Sequence, residues 1–595
     1  MDDSTIGRWC RVVGGLPLQD HDSPSARWLV ALWATLLFLL PACGSDEGKG
    51  PKPEGAGTTS DAPEPHWFTE VTEGSGVSFT CEAHPKGQLL MPAIMGGGLA
   101  LFDADGDGDL DIYFANGNDR LPAATTEAQQ QNRFFRQVSP WKFVDATAES
   151  GLGCTGYSMG VAIGDVDADG DLDVYLNNFG PDVLYLNRGD GTFEDATRRA
   201  GIDVPGWSVS SAFVDYDRDG DLDIFVTQYV KFEGSKRCSD TAGRPEFCGP
   251  TAFPPCPDVL LRNEGNGKFT DVSKESGIAA VAAAGLGVVC DDFDADGWID
   301  LYVANDAYAN NLWVNRGDGT FVDEGVLRGV AFNMNGQAEA GMGVIAADFD
   351  GDTWTDLFMT HLVRESNTLY RNLGSDHGFQ DDTGTSGLAA SSMNFTGFGV
   401  AGLDVDLDGD LDLAIANGRV THEVRNPTTK VKPPYDEYAE PNLFYTNRGN
   451  GKFQVDASHA DAFTSAVEVG RGLVAGDIDG DGDLDLVLSN LESPARLYRN
   501  DAPRVGSWLV VRAIDGVTEV VGARIVIRDA RRVQARTTSR ALGYGSSGPA
   551  SAHFGLPDPV EELSVRWPDG HRESFPVPEL NRSLTVVRGT GRALP

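Results

Sequence analysis

Seven short segments of the chain place aspartates at alternate positions. They share the pattern D-x-D-x-D-G-x-x-D. The first four comprise Asp103, Asp105, Asp107, Asp109 and Asp111; Asp165, Asp167, Asp169, Asp171 and Asp173; Asp215, Asp217, Asp219, Asp221 and Asp223; and Asp292, Asp294, Asp296 and Asp300. The last three comprise Asp348, Asp350, Asp352 and Asp356; Asp404, Asp406, Asp408, Asp410 and Asp412; and Asp477, Asp479, Asp481, Asp483 and Asp485. Carboxylates at positions 1, 3 and 5 can converge on one cation when the chain curls tightly. Glycine at position 6 permits the turn, the carbonyl of position 7 can ligate, and the aspartate at position 9 completes the shell. All-oxygen coordination selects a hard cation, and flexible geometry favours Ca²⁺ over Mg²⁺. Up to seven structural calcium ions are therefore expected. Thr353 replaces the position-6 glycine in the fifth loop, so strain is expected there. Together the loops hold 33 aspartates, most of the excess of 89 acidic over 47 basic residues. Without counter-ions each loop would repel itself.

The elements that hold these loops are strands. An EF-hand would need a glutamate at position 12 and flanking helices. Position 12 is instead Phe114, Leu176, Val226, Val303, Met359, Ile415 or Leu488, each in a strand-like run. Short β-like stretches such as GVAIGD precede the loops, and hairpin signatures such as LYLNRGDGTF from Leu184 and LWVNRGDGTF from Leu312 follow. Each repeat thus reads as strand A, metal loop, strand B, connection, strand C, hairpin, strand D. Loop starts lie 50 to 77 residues apart, which suits four-stranded blades with insertions. The seventh repeat lacks its last strand, and FTEVT at 68–72 is such a strand without a repeat. The sequence therefore predicts an all-β fold, a seven-bladed β-propeller over 66–504 closed by its N-terminal strand, followed by a small β-rich domain over 505–595.

Strand alternation puts the metal loops at one end and the B–C and D–A connections at the other. Long connections at 117–131, 229–257 and 418–441, with the widened segment 73–96, make that second end the place for recognition. Five residues past each final aspartate stand Asn116, Asn178, Gln228, Asn305, His361, Asn417 and Asn490. They either end strands by bonding local backbone or form a polar ring for a ligand on that rim. His84, His361 and His422 fall on the same rim and offer a hint of metal or acid–base chemistry. Two of Cys238, Cys248 and Cys256 can staple the 229–257 connection, Cys81 and Cys154 can pair, and Cys290 reads as a buried free thiol.

Residues 28–42 form an apolar run behind Arg27 that fits a signal-peptide core, and Leu40-Pro41-Ala42-Cys43 resembles a lipobox whose cysteine is lipidated. The expected organisation is a leader over 1–43, with its start codon open to reassignment, and a flexible tether over 44–65. A plain secretory signal is the alternative. A formal charge of −42 argues against nucleic acid and anionic lipid as partners. The segment 505–595 carries 12 arginines, no lysine and nine acids, about +3 in all. Solvated arginines are expected there, with docking onto the acidic propeller as the alternative.

The repeats resemble the FG-GAP/VCBS type of integrin α-chain propellers. With Trp508-Leu509, Val521-Gly522-Ala523, Gly543-Tyr544, His553-Phe554-Gly555-Leu556 and Val565-Arg566-Trp567-Pro568-Asp569-Gly570, the whole resembles the bacterial relatives of cartilage acidic protein, in which an ASPIC/UnbV domain follows the propeller. The leader and lipobox imply an exported protein of the bacterial envelope, lipid-anchored or secreted, and the likeness to integrin propellers implies adhesion or recognition of a glycan or an extracellular protein. No H-E-x-x-H motif occurs, and a non-catalytic recognition or adhesion protein is expected. The alternatives are a carbohydrate-active lyase or dehydratase using His84, His361 and His422, or an envelope assembly scaffold.

Overall fold

A computed structural model describes residues 66–83, 88–117, 130–265 and 267–594. The leader with Cys43, the tether, His84 and most of the 117–131 connection lie outside the described residues. Each repeat folds as an antiparallel four-stranded sheet in sequence order. The second sheet, for instance, runs Ser158–Gly164, Asp173–Asn178, Val183–Asn187 and Phe193–Asp195. Seven such sheets form. In the seventh, Val467–Gly476, Asp485–Leu491 and Arg496–Asn500 are completed by Phe68–Glu70, with Phe68 opposite Asn500. The first strands of successive sheets pack side by side, and that of the seventh packs on Leu99–Phe102 of the first. The sheets therefore close into a ring, and pairing across the chain ends removes an exposed edge.

Local chemistry sets this pattern. Each first strand is wholly or mainly apolar and buried, as befits a strand covered on both faces. The recurring F-x-D-x-T phrase ends a sheet. In the second, Asp195 Oδ1 accepts the Thr197 N–H at 3.0 Å, and Thr197 Oγ1 accepts the Leu184 N–H at 3.0 Å. A single helical turn follows, Thr197–Ala200, and stops at Gly201 with φ +79°.

Residues 505–594 form two further sheets. One pairs Ser507–Asp515 with Thr518–Glu519, Ala552–Leu556 and Arg582–Val587; the other contains Val533–Thr537, Arg524–Asp529, Val560–Arg566, Arg572–Phe575 and Arg592–Ala593. Leu509, Val511, Ile525, Phe554, Leu563 and Trp567 fill the space between them. This unit does not stand apart from the ring. Its segment 541–547 enters the middle of the ring, where Ser547 pairs in parallel with Ala100. The Val161 N–H donates to Gly545 O at 3.0 Å, the Gly545 N–H to Ser210 Oγ at 3.0 Å, and Gly543 and Val344 exchange backbone bonds at 3.1 Å. Tyr544 is fully buried, lies edge-on to Phe398 with centroids 4.9 Å apart, and donates its hydroxyl to Met95 O.

Room for this hub comes from one register position. Five residues before each loop stand Gly98, Gly160, Ser210, Gly287, Gly343, Gly399 and Gly472. A Cβ at Gly98 would meet Gly545 O at 2.1 Å, and one at Gly160 would meet Val209 O at 2.2 Å and Gly545 Cα at 2.9 Å. At Gly343 it would meet Phe398 O at 2.0 Å, and at Gly399 it would meet Arg471 O at 2.4 Å. The six glycines let neighbouring first strands and the hub approach backbone to backbone. The seventh position uses its hydroxyl to hold Gly545.

Candidate metal loops and the two ends of the ring

Each aspartate loop folds on hydrogen bonds from its own backbone. In the second, Asp165 accepts the N–H groups of Asp169 and Gly170, and Asp169 accepts that of Asp171. Positions 4 and 6 both take left-handed backbone. At position 4 these are Gly106, Ala168, Arg218, Ala295, Gly351, Leu407 and Gly480, with φ between +57° and +77°. Glycine at position 6 was legible in the repeat; the demand at position 4, met by four non-glycine residues, was not. Thr353 adopts φ +74° and still donates its N–H to Asp348 Oδ2 at 3.0 Å, so the fifth loop keeps the shape of the others at the cost of a strained β-branched residue.

Position 9 is held from two directions. Asp173 Oδ2 accepts the Val166 N–H at 2.9 Å, and its Oδ1 accepts the Asn187 N–H at 2.8 Å. Asp111, Asp223, Asp300, Asp356, Asp412 and Asp485 repeat the arrangement. The amide that ends each third strand then reaches the preceding loop. Asn187 donates to Ala104 O at 2.9 Å, Asn263 to Val166 O at 2.8 Å, and Asn315 to Tyr216 O at 2.8 Å. Asn372, Asn447 and Asn500 reach Phe293, Phe349 and Val405 at 2.9 to 3.0 Å, and Gln137 closes the circuit onto Ile478 O at 3.1 Å. Seven amides thus tie seven loops into one belt. In sequence these asparagines look like hairpin residues only; their recurrence in six of the seven repeats, with Gln137 in the first, is the available signal.

Carboxylate oxygens of Asp103, Asp105 and Asp107 lie within 4.8 Å of one another, as do those of Asp165, Asp167 and Asp173, of Asp215, Asp217 and Asp223, of Asp292, Asp294 and Asp300, and of Asp348, Asp350 and Asp356. Of these five loops, Asp111, the position-5 aspartates Asp169, Asp219, Asp296 and Asp352, and the position-7 aspartates Asp109, Asp171 and Asp221 stand outside these sets. A cation fits them on independent grounds. One oxygen of each of Asp105, Asp167, Asp215, Asp217, Asp292, Asp479 and Asp483 is buried and accepts no hydrogen bond. Burial also pushes Asp111 up to about 7, Asp173 to about 8 and Asp223 to about 9. Buried, crowded and incompletely bonded carboxylates call for a positive counter-charge.

Part of that charge comes from the C-terminal domain and the segment leading to it, which lie against the loop end of the ring. Arg566 pairs with Asp292 at 2.5 Å, and Arg532 with Asp410 at 3.2 Å. Arg524 donates to Thr353 O, and Arg504 clasps Asp481 at 2.6 Å and Asp483 at 2.9 Å. Expected as solvated, these arginines are instead docked; the acidic loops and the basic face are complementary. The family motifs serve the same contact. Trp508 covers Gly482, where a Cβ would lie 1.8 Å from the indole, and the ring of His553 meets Gly482 O at 2.9 Å. Gly555 lies against the sixth loop, where a Cβ would meet Asp404 Oδ2 at 1.9 Å. Between the loops and this domain remains a cavity of about 600 Å³ bordered by Asp103, Asp165, Asp477, Arg512, Arg536 and Arg540.

At the opposite end the expected polar ring is not available to a ligand. Asn116, Asn178, Gln228, Asn305, His361, Asn417 and Asn490 occupy equivalent places but are 0 to 6% exposed. Asn178, Asn305, Asn417 and Asn490 donate to the carbonyls of Pro181, Ala309, Pro441 and Pro494 at 2.7 to 2.9 Å. Asn116 reaches Gln131 O at 3.3 Å, and Gln228 reaches Ser208 Oγ at 2.7 Å. Periodicity found the positions, and burial gives them to strand termination. His361 is 1% exposed with Glu339 Oε2 3.9 Å away, and burial lowers it to about 4. His422 sits in a different connection, with Nδ1 2.8 Å from Glu437 Oε2 and Nε2 hydrogen-bonded to Pro245 O at 2.9 Å. The two histidines belong to different environments.

What occupies this end is a bridge. The 229–257 connection of the third sheet and the 418–441 connection of the sixth, on opposite sides of the ring, meet each other. Glu246 accepts the His422 N–H at 2.7 Å and the Tyr438 hydroxyl at 2.9 Å, and Phe247 packs on Tyr438 with centroids 5.3 Å apart. The Cys238–Cys248 disulfide staples the first of them. Cys81 and Cys154 are separate buried thiols, which corrects the suggested pairing, and Cys290 is a buried free thiol. Arg471, wholly buried, donates to Ile94 O, Gly418 O and Gly470 O and stacks 3.9 Å over Phe398, closing the centre beneath the bridge.

Two family models match the repeats and the terminal domain. An FG-GAP-like repeat model matches residues 103–176, 165–226, 292–359 and 436–510, and an ASPIC and UnbV model matches 515–593. Human cartilage acidic protein 1 is 25% identical over 548 residues, covering 88% of this chain and 77% of that protein. The mouse protein is 27% identical over 328 residues, 53% of this chain and 47% of its own length. Among solved structures, an Agrocybe aegerita lectin recognising non-reducing terminal N-acetylglucosamine aligns over 68% of this chain and 90% of its own, at 16% identity and TM-score 0.34. The rhamnogalacturonan lyase YesW aligns over 69% and 72%, at 12% identity and TM-score 0.35. With its FG-GAP repeats and terminal ASPIC/UnbV domain in the same order, the chain belongs to the family of cartilage acidic protein.

Proposed function

We propose that this protein is an exported, calcium-binding recognition protein that binds a glycan or an extracellular protein at the end of the ring opposite the metal loops. The carrying observation is how the two ends are used. The loop end is occupied by the C-terminal domain, whereas the other presents a clasped bridge of two long connections, a built surface held by Glu246, Tyr438 and the Cys238–Cys248 disulfide. Calcium is structural in this reading. The aspartates at positions 1, 3, 5 and 9 hold it, and it neutralises carboxylates that otherwise meet in a buried turn. Attachment through Cys43 to a bacterial envelope membrane belongs to the same proposal; among the described residues no helix is long and apolar enough to cross a membrane.

The test is to screen the calcium-loaded chain against glycan and surface-protein arrays, beside a variant with Phe247→Ala and Tyr438→Ala. Captured ligands should be lost or weakened by the variant while its calcium stoichiometry is unchanged. Ligands captured equally by both would place recognition elsewhere and overturn the reading.

A further inference from the structure

The bridge sorts its charges by depth. Its two connections contain eight cations and seven acids, +1 in a chain of −42. Five of the seven acids turn inward or are paired, while Glu233 and Glu423 stay exposed, the latter 3.6 Å from Arg419. Glu246, Asp436 and Glu440 are buried, and the latter two are paired with Arg425 at 2.8 Å and Arg419 at 2.7 Å. Asp240 is held by Arg244 at 2.7 Å, and Glu437 lies 2.8 Å from the His422 ring. The cations turn outward: Lys231, Lys236, Arg237, Arg244, Arg425, Lys430 and Lys432 are all exposed. Four of the eleven lysines of the chain are among them.

Aromatic rings lie at the foot of the same connections. Phe232 packs on Phe179, Trp207 and Phe253 at centroid distances of 5.2 to 5.7 Å, and Lys236 lies 5.4 Å from the Phe253 centroid. Phe179 and Phe232 are only partly buried. Partly exposed ring surface with an ammonium group nearby suits a chain with apolar sugar faces and spaced carboxylates.

We propose that this bridge is a docking surface for an acidic, uronate-bearing polysaccharide. The proposal rests on the recognition reading above and narrows its ligand. A duplex nucleic acid or an anionic bilayer presents dense charge over a wide area and meets the acidic remainder of the surface as well. A uronate chain is narrow, its charges are spaced, and it can follow the bridge alone.

The experiment uses the full, calcium-loaded chain and two matched probes, glucuronoxylan oligosaccharide and unsubstituted xylan oligosaccharide, measured by calorimetry. The glucuronoxylan should bind more tightly and lose affinity as salt rises from about 50 to about 200 mM. The variant Lys231→Glu, Lys236→Glu, Lys430→Glu, Lys432→Glu should weaken it by about tenfold or more, with near-ultraviolet circular dichroism unchanged. Should that variant misfold, the single change Lys432→Glu and the salt dependence of the wild type carry the test. Equal binding of both probes, or uronate binding indifferent to salt and to the charge reversals, overturns the proposal and leaves sugar recognition standing. Failure to bind either oligosaccharide, while an array protein is captured through the bridge, overturns it in favour of a protein ligand. Failure of every array as well overturns the recognition reading itself.

Discussion

A single carboxylate at the bridge end shows how this ring spends its buried polarity. Asp258 is buried and accepts the Gln228 N–H at 2.9 Å; burial pushes it up to about 7. Asp182 does the same for Asn178, while asparagines do so at 132, 310, 367 and 442. An acid whose folded pKa is raised stabilises the fold fully below its unfolded pKa of about 3.9, and that contribution is lost as pH rises towards the folded value. The window is therefore about pH 4 to 7. Asp258→Asn, the residue used at the equivalent positions, should melt progressively higher than the wild type as pH rises through that window and hold a constant advantage above it. A difference independent of pH would refute the assignment. At the metal end, Asn372→Ala would strand the buried carbonyl of Phe293 and break one link of the belt, a loss of about 1–3 kcal/mol read from denaturant midpoints. These residue roles were only half legible. Aspartate spacing declares its chemistry because ligands must alternate. An asparagine that ties one sheet to another looks the same in sequence as one that merely turns a hairpin.

At the scale of elements, strands and loops were readable because they repeat, and the hub was not. Residues 541–547 lie far along the chain from the strands they touch, and their partners are glycines whose importance lies in a missing Cβ. Six of seven equivalent positions being glycine was the visible trace, and Ser210 obscured it. The substitution Gly160→Val places side-chain atoms where Val209 O and Gly545 Cα lie. It should lower the melting temperature and raise hydrogen exchange at both 541–547 and 208–214. Exchange unchanged in 541–547 would show that the hub does not depend on that contact. The bridge was anticipated as long connections, but nothing in the local sequence of either says that it meets the other across the ring.

For the molecule as a whole, the domain boundary drawn at 504/505 divides the sequence without dividing the structure. Residues Pro63–Pro595 behave as one compact unit, with the basic domain seated on the acidic loops and its hub in the ring. Chelation of divalent ions should therefore act on both parts together. With calcium in the loops as proposed, each site emptied would remove a stabilisation that grows as RT ln(1 + [L]/Kd), so a chelator should lower the melting temperature and merge or shift every transition. A propeller transition that falls while a C-terminal transition stays fixed would contradict the coupling.

The way the ring is locked also constrains how it can be made. Phe68–Glu70 is made early but meets its partner only when Arg496–Asn500 emerges, and the centre waits for residues 541–547, so a ribosome must deliver most of the polypeptide before either closure is possible. Until then the growing chain carries unpaired sheet edges and crowded acidic turns, so the ring and the seat of its C-terminal domain form late and together.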